Sequence, residues 1–159
     1  MSENEIVILS GARTAIGAFG GSLAAVPPIA LAATVTRAAI ERAGIAADKI
    51  GTVVFGHVLN TEPRDMYLSR VAMLDAGVPN TTPAMNVNRL CGSGAQAIVS
   101  ATQALLLGDA DFAVAGGAES MSRAPYAVPS ARFGAKMGDV QMLDMMVGAL
   151  TCPMGTGHM

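Results

Sequence analysis

Residues 90–108 contain no charged side chain, and this feature constrains the fold more than any other. Their composition predicts a helix over residues 93–107 that ends at Gly108. A helix on a protein surface carries a polar stripe, whereas every face of this one is apolar, small or uncharged. It must therefore be covered on all sides. A single sheet covers only one side, so a second sheet or a second copy of the helix is expected to cover the other.

The same segment is long enough to raise the question of a membrane span. We expect a helix buried inside protein instead, because a single lipid-facing span does not tolerate so many polar groups. The residues that argue against a span are Gly92, Ser93, Gly94, Gln96, Ser100, Thr102 and Gln103.

The overall composition predicts a chain that needs a partner surface. Hydrophobic residues make up 52% of the 159 residues and charged residues 14%, against about 25% charged in average soluble domains. We therefore expect the chain to associate or to be the first part of a longer one. Its net charge of −2 offers no basic field for nucleic acid. Its two cysteines suggest no disulfide framework, which fits a reducing, cytoplasmic compartment.

The first 118 residues alternate short apolar runs with helical segments, which predicts an α/β fold with a mainly parallel sheet covered by helices. The second predicted helix begins with Asp65 as its N-terminal cap. The predicted strands are residues 6–9, 50–55, 84–88 and 111–115, and the predicted helices are residues 28–43, 66–76 and 93–107.

The character of the chain changes after Ala118. Glycine, proline and methionine become frequent, which places a boundary near Glu119. The predicted domains are residues 1–118 and 119–159. In the second, apolar spacing predicts one amphipathic helix over residues 139–150.

Cys91 stands directly before the uncharged helix, on a turn that contains Gly92 and Gly94. A helix start offers unpaired N–H groups and the positive end of the macrodipole, and both favour the nucleophilic thiolate. The glycines allow the backbone to approach a ligand closely. This pattern predicts a covalent acyl-transfer cysteine. The alternative is a small buried hydrophobic residue, which is what most free cysteines are.

Four ordered segments resemble motifs of the thiolase family, which includes acetyl-CoA acetyltransferases and 3-ketoacyl-CoA thiolases. Residues 88–97, NRLCGSGAQA, resemble its nucleophile motif, and residues 12–21, ARTAIGAFGG, its N-terminal signature. Residues 116–122, GGAESMS, resemble the segment that leads into its loop domain, and residues 134–139, GAKMGD, a segment inside that domain. Residues 61–67, TEPRDMY, resemble bacterial β-ketothiolases of broader specificity.

The resemblance implies a five-layer αβαβα fold built from two similar halves, with the uncharged helix in the buried central layer. Residues 1–118 would be the N-terminal half that carries the nucleophile. Residues 119–159 would begin the loop domain, which binds acyl-CoA and makes tetramer contacts. The C-terminal half would be absent from this sequence.

The resemblance also implies an activity, reversible Claisen condensation of two acyl-CoA molecules (acetyl-CoA to acetoacetyl-CoA) or thiolysis of 3-ketoacyl-CoA. Cys91 matches the acylated cysteine, and its backbone N–H would help to hold the thioester oxyanion. Leu150, His158 and Met159 match acyl-CoA-binding residues, with core packing as the alternative for Leu150 and Met159. Coenzyme A would be substrate and product, with no other cofactor and no metal. The family implies a cytoplasmic homodimer or homotetramer in fatty acid metabolism, without a membrane or nucleic-acid partner.

Other family motifs do not occur in these residues. The activating histidine of Gly-His-Pro, the second cysteine of Cys-x-Gly-Gly-Gly and the asparagine of Asn-Glu-Ala-Phe are absent from the sequence. Cys152 is interpreted as a bystander, and His57 as a structural or exposed histidine. We therefore expect the 159 residues alone to be inactive. The alternatives are an incomplete module that only packs or oligomerises, and redox sensing through Cys91 and Cys152.

Overall fold

The computed structural model describes residues 5–159, and its centre is a parallel sheet. The strands are β1 (Ile50–Gly56), β2 (Ala84–Val87) and β3 (Phe112–Gly117), in the order β2-β1-β3. Both neighbours pair with β1 in parallel. The carboxyl ends of all three strands therefore meet at one edge of the sheet, where the segments that follow them converge.

Helices cover both faces of the sheet, which confirms the predicted α/β architecture. Helices α1 (Pro28–Ala43) and α2 (Leu68–Asp75) pack on the face to which Val53 and Phe55 point. Helix α3 (Ser93–Leu107) packs on the opposite face. Successive side chains of a strand point to opposite faces, so Val54 contacts α3 through Ala97 and Ala101.

Among residues 5–159, the packing partners of helix α3 cover it on one side only. Its buried residues are Ser93, Ala97 and Ala101, whereas Leu107 is 78% exposed. In the part of the chain that the structure describes, Leu90–Leu107 is long and apolar enough to cross a membrane, and 17% of it is buried. Length and composition are weak evidence of a span, because core helices of soluble proteins share both.

The predicted strand at residues 6–9 is wrong. Residues 5–10 form no strand, and Ile8 is 85% exposed. Residues 5–10 line a cavity of about 410 Å³ together with residues of α1, α3 and β3. They pair with no strand of the sheet, which has three strands instead of four.

The prediction that Asp65 caps the second helix is also wrong. A 3-10 helix, Pro63–Tyr67, precedes α2 and contains Asp65. The buried carboxylate of Asp65 accepts hydrogen bonds from the backbone N–H and the hydroxyl of Thr61, both at 2.7 Å. It also accepts from the N–H of Glu62 at 3.2 Å. The preceding loop therefore occupies the carboxylate, and α2 begins later than predicted.

The predicted helix over residues 139–150 is wrong in its first half. Strand β4 (Tyr126–Ala127) pairs antiparallel with β5 (Leu143–Asp144), and α4 (Met145–Leu150) follows. The carboxylate of Asp144 accepts hydrogen bonds from the N–H groups of Met146 and Val147. Aspartate favours such a cap over a helix interior, so the helix begins after it. The predicted domain boundary near Glu119 stays a prediction.

Candidate active site

A cavity of about 400 Å³ opens at the edge of the sheet where the strand ends converge. The segments that follow β1, β2 and β3 all contribute to its wall, as the parallel order requires. The start of α3, the end of α4 and the last residue of the chain complete it. The lining residues are Gly56, Val58, Leu59, Leu90, Cys91, Ser93, Gly94, Gly117, Ala118, Glu119, Met121, Ala149, Leu150 and Met159.

Cys91 is exposed at this cavity, on a turn that is held in a strained conformation. The preceding residue, Leu90, has a φ of 49°, in the left-handed region that non-glycine residues avoid. The N–H of Leu90 donates to the side chain of Asn88 at 3.0 Å. The hydroxyl of Ser93 donates to the carbonyl of Leu90 at 2.6 Å and accepts from the N–H of Arg89 at 2.8 Å. These side chains fix the turn that presents Cys91.

The absence of a side chain at Gly56 lets α3 begin directly against the end of β1. A Cβ at this position would lie 2.6 Å from the carbonyl carbon of Ser93 and 2.8 Å from the nitrogen of Gly94. No larger residue fits without moving the helix start. This role of Gly56 was not predicted, although a glycine at the end of a strand is a signal of close backbone approach.

The structure brings Leu150 and Met159 to the cavity that Cys91 lines, but not His158. His158 is exposed and forms an antiparallel bridge with Thr151. The N–H of Met159 donates to the carbonyl of Leu150 at 2.9 Å, which joins the two cavity residues through the backbone. Of the three predicted acyl-CoA-binding residues, Leu150 and Met159 therefore line the cavity, and His158 is not part of the lining.

Glu119 was predicted only as a domain boundary, yet its carboxylate holds part of the cavity wall. One oxygen accepts from the N–H of Val58 at 2.9 Å and the other from the N–H of Leu59 at 3.1 Å. His57 lies beside it and is 5% exposed, so it is not the exposed histidine that the sequence also allowed. Its Nδ1 lies 2.8 Å from the carbonyl oxygen of Ala118 and 3.4 Å from a carboxylate oxygen of Glu119.

Cys152 is half-buried and does not line the cavity with Cys91. A hydrogen bond from the Thr156 side chain, together with backbone hydrogen bonds from Thr156, Met154 and Gly155, holds the pKa of the Cys152 thiol below its ordinary value. Within residues 5–159, no group of three or more His, Cys, Asp or Glu side chains could hold a metal ion.

The three Arg and Lys side chains of residues 119–159 differ in their surroundings. Arg123 lies 3.4 Å from a carboxylate oxygen of Glu62, and it also donates to the carbonyl of Ala25 at 3.3 Å. Arg132 and Lys136 are exposed. Arg123 therefore connects the start of residues 119–159 to residues 1–118, whereas Arg132 and Lys136 are exposed to solvent.

Comparisons of sequence cover nearly the whole chain. A family model described as "Thiolase, N-terminal domain" matches residues 6–159. Beta-ketothiolase BktB of Cupriavidus necator is 61% identical over 155 residues, which are 98% of this chain and 39% of that protein. An acetyl-CoA acetyltransferase of the same organism is 46% identical over 143 residues, which are 90% of this chain and 36% of that protein. The chain therefore spans less than half the length of these curated relatives.

Comparisons of structure agree with those of sequence. The crystal structure of the Bacillus anthracis acetyl-CoA acetyltransferase has a TM-score of 0.88 at 35% identity, and the match covers 96% of this chain and 38% of that one. The crystal structure of human mitochondrial 3-ketoacyl-CoA thiolase in complex with CoA has a TM-score of 0.90 at 36% identity. That match covers 94% of this chain and 38% of the human one.

Proposed function

Since the chain belongs to the thiolase family, we propose that it is the part of an acetyl-CoA acetyltransferase or β-ketothiolase that carries the nucleophile. The family match confirms the resemblance found in the sequence, and the fold is the N-terminal half of a thiolase. The proposed reaction of the whole protein is condensation of two acetyl-CoA molecules to acetoacetyl-CoA, or thiolysis of 3-ketoacyl-CoA.

One observation carries this proposal: an exposed cysteine at the start of a helix, on a fixed turn that opens into a cavity. The sulfur of Cys91 attacks the thioester carbonyl of an acyl-CoA and forms an acyl-cysteine. The bond from the carbonyl carbon to the sulfur of coenzyme A breaks, and coenzyme A leaves with the proton of the cysteine. The backbone N–H of Cys91 would donate to the oxyanion that forms during this attack.

We propose that Leu150, His158 and Met159 bind the acyl-CoA. The positions of Leu150 and Met159 on the same cavity wall as Cys91 support this for two of the three. For His158, which is outside the lining, support comes from its backbone pairing next to Leu150. Coenzyme A would be substrate and product, and the proposal needs no further cofactor.

The cellular setting that we propose is a cytoplasmic homodimer or homotetramer in fatty acid metabolism. The uncovered face of α3 supports association, because it exposes Ile98, Val99, Leu106 and Leu107 together.

Exchange of labelled coenzyme A into acetyl-CoA tests the proposal. The whole protein that contains these residues should catalyse the exchange, and its Cys91→Ala variant should lose it, because no acyl-enzyme can form. Cys152→Ser is the matched control and should keep the exchange. Exchange that persists in Cys91→Ala would contradict the assignment.

A second candidate is an incomplete module that packs or oligomerises without turnover. The exposed apolar face of α3 favours it. Analytical ultracentrifugation with Leu106→Lys and Leu107→Lys separates the two. A module would lose its association in these variants and would show no exchange with or without the substitutions. An enzyme would show exchange in the unaltered whole protein that contains these residues.

A further inference from the structure

We propose that His57 is a positioning residue for the cavity at Cys91, acting through Glu119 on the backbone of residues 58–62. The proposal rests on the acyl transfer at Cys91 proposed above. It concerns how the cavity wall is held, and it assigns no contact between His57 and the substrate.

The ring of His57 joins the ends of two adjacent strands. His57 follows β1, and the Ala118 carbonyl follows β3, 2.8 Å from Nδ1. A carbonyl oxygen can only accept, so Nδ1 carries the proton and donates. The side chain is 1% exposed, and a buried hydrogen bond of this kind is costly to lose.

Two carboxylates flank the ring on opposite sides. Glu119 lies 3.4 Å from Nδ1, and Asp65 lies 4.0 Å from Nε2. Within the described residues, neither Nε2 of His57 nor Oδ1 of Asp65 has a hydrogen-bond partner, although both are buried. Beyond these two carboxylates, Glu62 and Arg123 pair with each other at 3.4 Å.

The same two carboxylates hold the loop that follows His57. Glu119 accepts from the backbone N–H groups of Val58 and Leu59. Asp65 accepts from those of Thr61 and Glu62. The loop over residues 58–62 belongs to no helix or strand, so these bonds define its path. His57 sits between the two groups that make them.

This arrangement links a buried ring to the cavity of Cys91. Val58, Leu59 and Glu119 all line that cavity. Loss of the ring would release the Ala118 carbonyl, leave space beside Glu119 and let the wall at residues 58–59 shift. A bound thioester must be held in a narrow range of positions to react, so such a shift weakens productive binding of acetyl-CoA. A small reagent such as iodoacetamide reacts with Cys91 without being held by this wall.

The test compares His57→Leu, which removes the donor, with His57→Asn, which keeps an N–H near the position of Nδ1. Both are made in the whole protein that contains these residues, in a Cys152→Ser background. Thr36→Val is the matched control, because Thr36 is buried on α1, its hydroxyl has no partner among the described residues, and it lines none of the cavity. The measurements are the acetyl-CoA dependence of Cys91 acylation and the rate at which iodoacetamide modifies Cys91.

We expect His57→Leu to raise the acetyl-CoA concentration for half-maximal acylation by about tenfold, with His57→Asn within about threefold of the parent. Thr36→Val should leave it unchanged, and iodoacetamide should react at the same rate in all variants. A general loss of structure would also change the rate at which iodoacetamide modifies Cys91. An unchanged half-maximal acetyl-CoA concentration in His57→Leu, or a change of similar size in the iodoacetamide rate, overturns the proposal.

Glu119→Gln tests the route through Glu119 and does not depend on the folding of His57→Leu. It should raise the half-maximal concentration by a similar factor, and the double variant should be no worse than the poorer single one. Effects that multiply, or no effect in Glu119→Gln, overturn the proposal. Failure of the proposed function gives a different result, because the parent itself would then not be acylated at Cys91.

Discussion

Gly56 and Ser93 approach so closely that a Cβ on Gly56 would lie 2.6 Å from the carbonyl carbon of Ser93. This approach places the first turn of α3 on the carboxyl end of β1. The position of Cys91 at the sheet edge depends on it, because Cys91 is two residues before Ser93.

Replacement of Gly56 by alanine should force α3 away from β1. We expect Gly56→Ala to lower the free energy of unfolding by about 1–3 kcal/mol, as overpacking of a close contact does. Denaturant titration measures it. Gly148→Ala is the control, because nothing lies within 4 Å of a Cβ at this helical glycine, and its stability should be equal or higher. Equal stability of both variants would contradict the close approach.

The hydroxyl of Ser93 should matter to the turn at Leu90. Ser93→Ala removes a donor to the Leu90 carbonyl and an acceptor for the Arg89 N–H, so we expect a loss of about 1–3 kcal/mol in unfolding free energy. Acylation of Cys91 should slow as the strained turn relaxes. Ser100→Ala removes a hydroxyl elsewhere on α3 and should leave acylation unchanged. The same acylation rate in both variants would show that the turn needs no such support.

The thiol of Cys152 should ionise more readily than an ordinary cysteine, because the Thr156 hydroxyl lowers its pKa. Thr156→Val removes that hydrogen bond, so the pKa should rise, and the midpoint of alkylation against pH should move upward. Thr156→Ser keeps the hydroxyl and should keep the midpoint. The rate of iodoacetamide reaction at Cys152 across pH measures this, in a Cys91→Ala background. A midpoint that Thr156→Val leaves in place would contradict the assignment.

Asp144 has two separable effects, on the α4 terminus and on Tyr126. Asp144 holds the pKa of the Tyr126 hydroxyl above its ordinary value, by a hydrogen bond and by its charge. Asp144→Asn removes the charge and keeps a good cap, so the pKa should fall toward the ordinary value without loss of the helix. Asp144→Ala should also lose about 1 kcal/mol of capping. Ultraviolet titration of tyrosinate in a Tyr67→Phe background follows Tyr126, and hydrogen exchange of the Met146 amide follows the cap.

Local patterns predicted most of the sheet and its helices. Helix α1, helix α3 with its end at Gly108, and the strand at Ile50–Gly56 follow from apolar periodicity and terminal residues. The strand at residues 6–9 was mispredicted because a strand exists only where a partner backbone accepts its hydrogen bonds, and periodicity carries no information on that partner.

The candidate site was likewise predictable from sequence only in part. Cys91 and its glycine turn are contiguous in sequence and were predicted from it. The bonds from Val58 and Leu59 to Glu119 join residues that lie about sixty positions apart. Such pairs depend on which strands are neighbours in the sheet, and no local pattern specifies that order. Asp65 was misassigned because an aspartate can cap a helix or bind the preceding loop with equal local plausibility. The helix over residues 139–150 was predicted too long because apolar spacing does not show that Asp144 caps a helix that begins after it.

Peptide mapping by mass spectrometry, after incubation of the whole protein that contains these residues with acetyl-CoA, tests the central claim most directly. The account predicts one acetyl group, on the peptide that contains Cys91, and its removal when free coenzyme A is added. Cys152 should remain unmodified even though its pKa is lowered, because it does not line the cavity. Acetylation of Cys152 with Cys91 untouched, or no acetylation at all, would contradict the assignment of Cys91 as the acyl acceptor.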